Sequence, residues 1–257
     1  MDEFYQIAQQ LEREGTPFVI ATVTHTEGST SAKTGAKALL NAEGATLWGW
    51  IGGGCVESQV RDAALETLAK GIPQRLQIDL TDEVLSVPCG GHMELFLEPM
   101  LAVPHLQLIG HGRVVESLVK FARYLGFRIT VFDSQATPET YPQADHLVTH
   151  DPSLQDLSGG PRSFIVVATH HKRDDMALER ALSLHPTYVS LVASKYRTQI
   201  VFNQLKMRGI TEAQLGRIHA PAGLNLGAAT PEEIALSIMG EIVQTHRKGS
   251  KEPSWNS

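Results

Sequence analysis

Two cysteines in 257 residues, Cys55 and Cys89, are too few for the disulfide framework of a small secreted fold, and they cannot close a four-ligand zinc site between them. The chain also lacks a basic surplus. Its formal net charge of −6 argues against a nucleic-acid partner, although a local cluster can still hold a small anion, with Lys33 and Lys37 beside Gly35 as one candidate. Long apolar runs are missing as well: stretches such as residues 164–168 fall far short of the roughly 20 residues a membrane helix needs. Together with the acidic start Met1-Asp2-Glu3, this predicts a cytoplasmic protein without a membrane span. There is no internal repeat, and the 11 histidines show no His-Glu-x-x-His or similar metal spacing, so most are expected on the surface or satisfied in the core.

What remains is an ordinary globular composition, 42% hydrophobic and 19% charged, in a chain long enough for two domains. The texture changes at a proline-bounded passage, residues 99–104, which places one domain at residues 1–98 and a second at 104–247, with a disordered tail at 248–257. The first part reads as a small α+β domain. Residues 2–15 have helical spacing, 18–24, 36–40 and 45–50 read as antiparallel strands, residues 56–70 form a helix stopped by Gly71 and Pro73, and 74–80 and 92–97 are two further strands. The second part alternates strand and helix. Short apolar runs at 106–109, 128–132, 145–148, 164–168 and 188–192 suit a Rossmann-like, doubly wound parallel sheet buried on both faces. Its last helix is signalled by Thr230 as N-cap, Pro231 at the first helical position and Glu233 at the capping-box position.

Three loops carry candidate chemistry. Gly110-His111-Gly112-Arg113 follows a strand and opens a helix, the setting in which glycines let a backbone approach a phosphate at a helix N-terminus. Asp133 ends the next strand, where an acid can bond a ribose hydroxyl, while Val115 stands where the third small residue of the dinucleotide fingerprint belongs. The crevice therefore reads either as a site for NAD(P) or another nucleotide, or as a doubly wound fold put to another use. His111, and His170 at a strand end, are candidates to line it. The other two loops are Gly52-Gly53-Gly54-Cys55 with Glu57, and Cys89-Gly90-Gly91. Cys55 falls at a helix start, which favours a thiolate, a soft ligand suited to a thiophilic metal or to carrying sulfur. The alternative for either cysteine is a small buried hydrophobe.

Read together, these segments resemble the XdhC/CoxI family, accessory proteins of xanthine dehydrogenase and carbon monoxide dehydrogenase. The resemblance rests on Glu27-Gly28-Ser29-Thr30 with Gly35-Ala36-Lys37, Gly52-Gly53-Gly54-Cys55-Val56-Glu57, Pro88-Cys89-Gly90-Gly91, the glycine loop with Gly126-Phe127-Arg128, and Pro221-Ala222-Gly223-Leu224-Asn225-Leu226-Gly227 before Thr230-Pro231-Glu232-Glu233. It implies an N-terminal XdhC/CoxI domain, a C-terminal Rossmann domain and a chaperone that binds the molybdenum cofactor while its metal acquires a terminal sulfur. Cys55 and Cys89 would stand at the metal or sulfur end, with Gly52, Gly53 and Gly54 giving backbone access. The implied partner is an apo-molybdoenzyme of the xanthine dehydrogenase type; a cysteine desulfurase and a homodimer are compatible with that role. Where the family loop reads Gly-Ala-Gly-His, this chain has Gly110-His111-Gly112-Arg113, an arginine facing the expected phosphate. Two other functions stay open: an NAD(P)-dependent oxidoreductase built on Gly110, Gly112 and Asp133, and a sulfur-transfer enzyme that pairs Cys55 with Cys89.

Overall fold

The computed structural model describes residues 2–80, 90–169 and 173–247. Cys89, His170, His171 and the tail 248–257 lie outside the described residues. The chain forms two compact units, one ending at Ala102 and the next beginning at Val103.

Unit 1 is a five-stranded antiparallel sheet with a helix on each face. Its elements are α1 (Asp2–Glu14), β1 (Phe18–Gly28), β2 (Lys37–Asn41), β3 (Thr46–Gly49), α2 (Cys55–Lys70), β4 (Gln74–Asp79) and β5 (Gly91–Met100). The strand order is β3-β2-β1-β5-β4. Strand alternation sorts the side chains: Val19, Ala21 and Val23 of β1 face Val56, Val60 and Ala64 of α2, while Phe18 faces Phe4 of α1 on the other side. β1 runs four residues further than its β-branched stretch suggests, because β5 pairs with it along its whole length, from Phe18↔Met100 to Gly28↔Gly91. A bulge between Val23 and His25 interrupts that ladder.

Unit 2 is a parallel sheet wound in both directions. It comprises β6 (His105–Gly110), α3 (Arg113–Tyr124), β7 (Arg128–Phe132), β8 (His146–Val148), β9 (Ser163–Ala168), α4 (Asp174–Ser183), β10 (Tyr188–Leu191), α5 (Lys195–Met207), α6 (Glu212–Leu215), β11 (Ile218–His219) and α7 (Pro231–Arg247). The order β11-β10-β9-β6-β7-β8 means that the chain starts in the middle, winds outward to β8, then returns to wind the other way, so the topological switch point lies between β6 and β9. α3 and α7 cover one face through Val115, Leu118, Ile238 and Ile242; α4 and α5 cover the other through Leu178, Leu182, Val201 and Leu205. Val115 is thus a core residue, and its size is taken up in the layer between α3 and the sheet. His105, at the start of β6, is half-buried: it bonds Thr130 at 2.8 Å, and burial, helped by Arg128 and His146, pushes its pKa down to about 4.

Among the described residues, no helix is long and apolar enough to cross a membrane. The start of α7 is closed reciprocally, Thr230 Oγ1 accepting from the Glu233 amide at 3.2 Å and Glu233 Oε2 accepting from the Thr230 amide at 3.0 Å. Thr230→Ala is expected to cost about 1 kcal/mol in urea denaturation, the usual loss for a removed N-cap.

Candidate functional site

Strand direction brings the motif-bearing loops of unit 1 to one end of its sheet. β1 ends there at Gly28, β3 at Gly49 and β4 at Asp79; β5 begins there at Gly91. The contact between β1 and β5 at this end needs glycine on both sides. A Cβ on Gly28 would stand 2.6 Å from the Gly90 carbonyl oxygen, and one on Gly91 would lie 2.7 Å from that of Glu27. The next residues along reach the first cysteine loop, since a Cβ on Gly52 would meet Ser31 Oγ at 2.7 Å and Val56 Cγ1 at 2.9 Å. Residues 27–31 therefore touch both the Gly52 loop and the Gly90-Gly91 pair.

The other glycines of the loop face open space. Cβ atoms on Gly53 and Gly54 would find nothing within 4 Å. Gly54, at φ 61°, is the N-cap of α2 and supplies no side-chain acceptor, so the first-turn amides of this 16-residue helix have no side-chain cap. Cys55, the first residue of α2, is half-buried and leans on the apolar layer between α2 and the sheet. Beside it, Trp50, Ile51, Gly52 and Glu57 wall a depression of about 230 Å³ of which Cys55 is not part. Of the residues expected at this end, the structure places Gly52, Gly53 and Gly54 on the loop before α2, Cys55 and Glu57 in the first turn of α2, Gly90 just before β5 and Gly91 as its first residue. Lys37 donates to Thr22 Oγ1 at 2.9 Å, whereas Lys33 is exposed.

In unit 2 the carboxyl ends of the strands open onto a cleft of about 620 Å³. Gly110, His111 and Asp133 line it. Gly110 sits at the switch point with φ 123°, where any Cβ would run into the Ala168 carbonyl of β9. Gly112, at φ 95°, is the N-cap of α3, again without a side-chain cap. Arg113, which is exposed beside the glycine turn, pairs its guanidinium with Glu232 in the first turn of α7 at 2.8 Å. Under the glycine turn lies Tyr141, whose hydroxyl burial pushes up to about 12, with Asp133 and Glu116 adding to the effect and the Gly112 backbone opposing it. Asp174, the first residue of α4, is buried, bonded by Thr169 and paired with Arg197 at 3.2 Å.

The sequence motifs do not mark His150, Asp151 and Arg173, which also line the cleft. Two of them follow β8 directly, so the strand-end rule that singles out His170 applies to them too. Among the described residues, no group of three or more His, Cys, Asp or Glu side chains is placed to hold a metal ion.

Residues 106–242, more than half the chain, match the XdhC Rossmann domain, and residues 11–79 match the XdhC and CoxI family. The chain belongs to the XdhC/CoxI family. This XdhC/CoxI-family chain is 34% identical over 247 residues to the uncharacterized protein YqeB of Escherichia coli (strain K12), covering 92% of the chain and 45% of that protein. It is 32% identical over 162 residues to a probable xanthine dehydrogenase subunit of Bacillus subtilis (strain 168), covering 60% of the chain and 46% of that protein. The chain spans less than half the length of these curated relatives. A solved structure of a xanthine dehydrogenase from Bacillus halodurans matches 97% of both chains with a TM-score of 0.52 at 23% identity, which shows a shared fold.

Proposed function

We propose that the chain is an accessory protein that holds the molybdenum cofactor, supports its sulfuration and hands it to an apoenzyme of the xanthine dehydrogenase or carbon monoxide dehydrogenase type. The observation that carries this reading is that residues 27–31 touch both the Gly52 loop and the Gly90-Gly91 pair at one end of unit 1, beside a half-buried thiol at an uncapped helix start. The B. subtilis relative, a probable xanthine dehydrogenase subunit, supports a client of that class.

The cofactor is a phosphorylated pterin whose dithiolene sulfurs carry molybdenum, and it supplies the redox chemistry of the client. The donor set fits such a group. Cys55 offers one soft ligand, Gly53 and Gly54 leave the backbone bare, and the first-turn amides of α2 favour negative charge. Cys89 adds a second thiol next to Gly90 in sequence. The depression beside Cys55 is smaller than the roughly 300 Å³ at which ordinary ligand pockets begin, so these residues grip one end of the cofactor and leave the remainder accessible for hand-over.

Protein purified from cells able to make the cofactor is expected to carry molybdenum and a fluorescent oxidised pterin, and protein from cells unable to make it should carry neither. Cys55→Ala should lower the pterin content about tenfold, the lower end of what losing a metal-site contact costs. Gly53→Ala separates binding from folding. Because a side chain there meets no atom of the protein, it should change stability by no more than about 0.5 kcal/mol while reducing bound pterin. Wild-type protein free of pterin at high cofactor supply would sink the reading.

A further inference from the structure

We infer that the depression of about 230 Å³ beside Cys55 takes the pterin bicycle of the cofactor, with Trp50 stacked on its face and the Glu57 carboxylate accepting from its 2-amino group and N3–H. This rests on the reading of the chain as a cofactor carrier and adds which end of the cofactor unit 1 grips. The slot lies between the β2–β3 hairpin and the first two turns of α2. Its floor is apolar, made by the buried side chains of Leu40, Ile51 and Val60.

No motif marks Trp50, and its surroundings set it apart from the other tryptophan of this hairpin. Trp48 packs edge-on against Phe4 at 5.2 Å and donates to Glu3 at 3.2 Å. Trp50 is 58% exposed, although tryptophan is ordinarily well buried, and it has no ring contact or hydrogen bond among the described residues. The backbone holds it there from both sides. Gly49, at φ 83°, lies so close to the Lys37 carbonyl that a Cβ would run into it, and Ile51 is sunk into the core of unit 1. A fixed indole with a bare face above an apolar floor is a stacking platform for a flat heterocycle.

Glu57 supplies the polar end of the slot. It is exposed and has no hydrogen-bond or ion-pair partner among the described residues, since Arg61, one turn further along α2, is turned to Asp62 at 3.5 Å. An ionised carboxylate only accepts, and its two oxygens match two adjacent N–H donors. A pterin carries that edge, its 2-amino group beside N3–H. Lumazine, with a carbonyl in place of the amino group, loses one of the two bonds and sets an oxygen against the carboxylate. Guanine shares the donor pair on a smaller bicycle. An acid in a first helical turn also favours the helix dipole, but that role alone predicts a change in stability and none in pterin binding.

Calorimetric titration with pterin, lumazine and guanosine tests this on the full chain, purified from cells unable to make the cofactor. Pterin is expected to bind with a Kd below about 0.1 mM, lumazine at least about tenfold more weakly, and guanosine no more tightly than pterin. Trp50→Ala should weaken pterin about tenfold by removing the stack. Glu57→Gln should weaken pterin about tenfold while leaving lumazine within about threefold of its wild-type affinity. Both positions are exposed, and circular dichroism confirms that the variants fold. No heat with pterin up to about 1 mM, lumazine as tight as pterin, guanosine tighter than pterin, or a Glu57→Gln protein that loses stability but keeps its pterin affinity would each overturn the assignment. Cofactor content is measured in parallel on protein from cells that make it. Cofactor-bearing protein that fails these titrations overturns the slot assignment alone, whereas protein without cofactor at high supply overturns the underlying reading with it.

Discussion

Gly110→Ala is expected to lower the thermal midpoint of the chain by about 10 °C or more, or to leave it insoluble, with the Gly53→Ala protein melting as wild type beside it. Both substitutions add one methyl group to a glycine in a family motif, and their surroundings set them apart. At Gly110 the backbone has φ 123°, a region that L side chains rarely enter, and the added Cβ would press on the Ala168 carbonyl. That carbonyl belongs to β9, which is bonded to β6 from His105↔Ser163 to Gly110↔Ala168, so it cannot move without opening the middle of the sheet. Strain and separation together put the loss at about 4 kcal/mol or more. Scanning calorimetry on the two variants checks the contrast, and a Gly110→Ala protein that melted within about 2 °C of wild type would mean that β6 and β9 meet less closely than their ladder implies.

Glu241→Ala should destabilise the chain by about 3 kcal/mol, a fall of roughly 10 °C, because one carboxylate holds three separate pieces of unit 2. It accepts from Tyr188 of β10 at 2.7 Å, from His219 of β11 at 2.8 Å and from the Gly223 amide at 2.9 Å. Removing it strands a buried hydroxyl, an imidazole and a main-chain amide at once. Burial pushes the Glu241 carboxyl up, but the three hydrogen bonds outweigh burial and leave it below its ordinary 4.5. A lowered carboxylate contributes fully above the unfolded value and loses its contribution as pH falls towards the folded one. The difference in stability between wild type and Glu241→Ala is therefore largest near neutral pH and closes below about pH 4.5. Chemical denaturation at several pH values reads it directly. A gap that stayed constant into acid would show that packing, not the charged network, accounts for the loss.

That network also marks where reading from sequence stops. The start of α7 is legible because Thr230, Pro231 and Glu233 carry their meaning within four residues. Glu241, eight residues further along the same helix than Glu233, reads as one more polar position, since its partners are 18, 22 and 53 residues away. Arg113 poses the same problem, its carboxylate lying 119 residues off, so an arginine that a motif aims at a phosphate is held by another helix. Long apolar strands such as β6 and β9 announce themselves by composition, whereas β11, only two residues long, has no periodicity to detect. In unit 1 the motifs can be recognised one by one. Their assembly at a single end depends on β5 pairing with β1 across the intervening residues 29–90, which no local pattern encodes.

The brevity of β11 bears on how copies of this protein behave when crowded. An open sheet offers unpaired amides and carbonyls along its outer strands, and neighbouring molecules can extend the ladder there. In unit 2 those outer strands are β11 and β8, two and three residues long. Neither is long enough to template a partner strand, so the unit resists edge-to-edge aggregation by its topology, and any self-association through it has to be made by side chains.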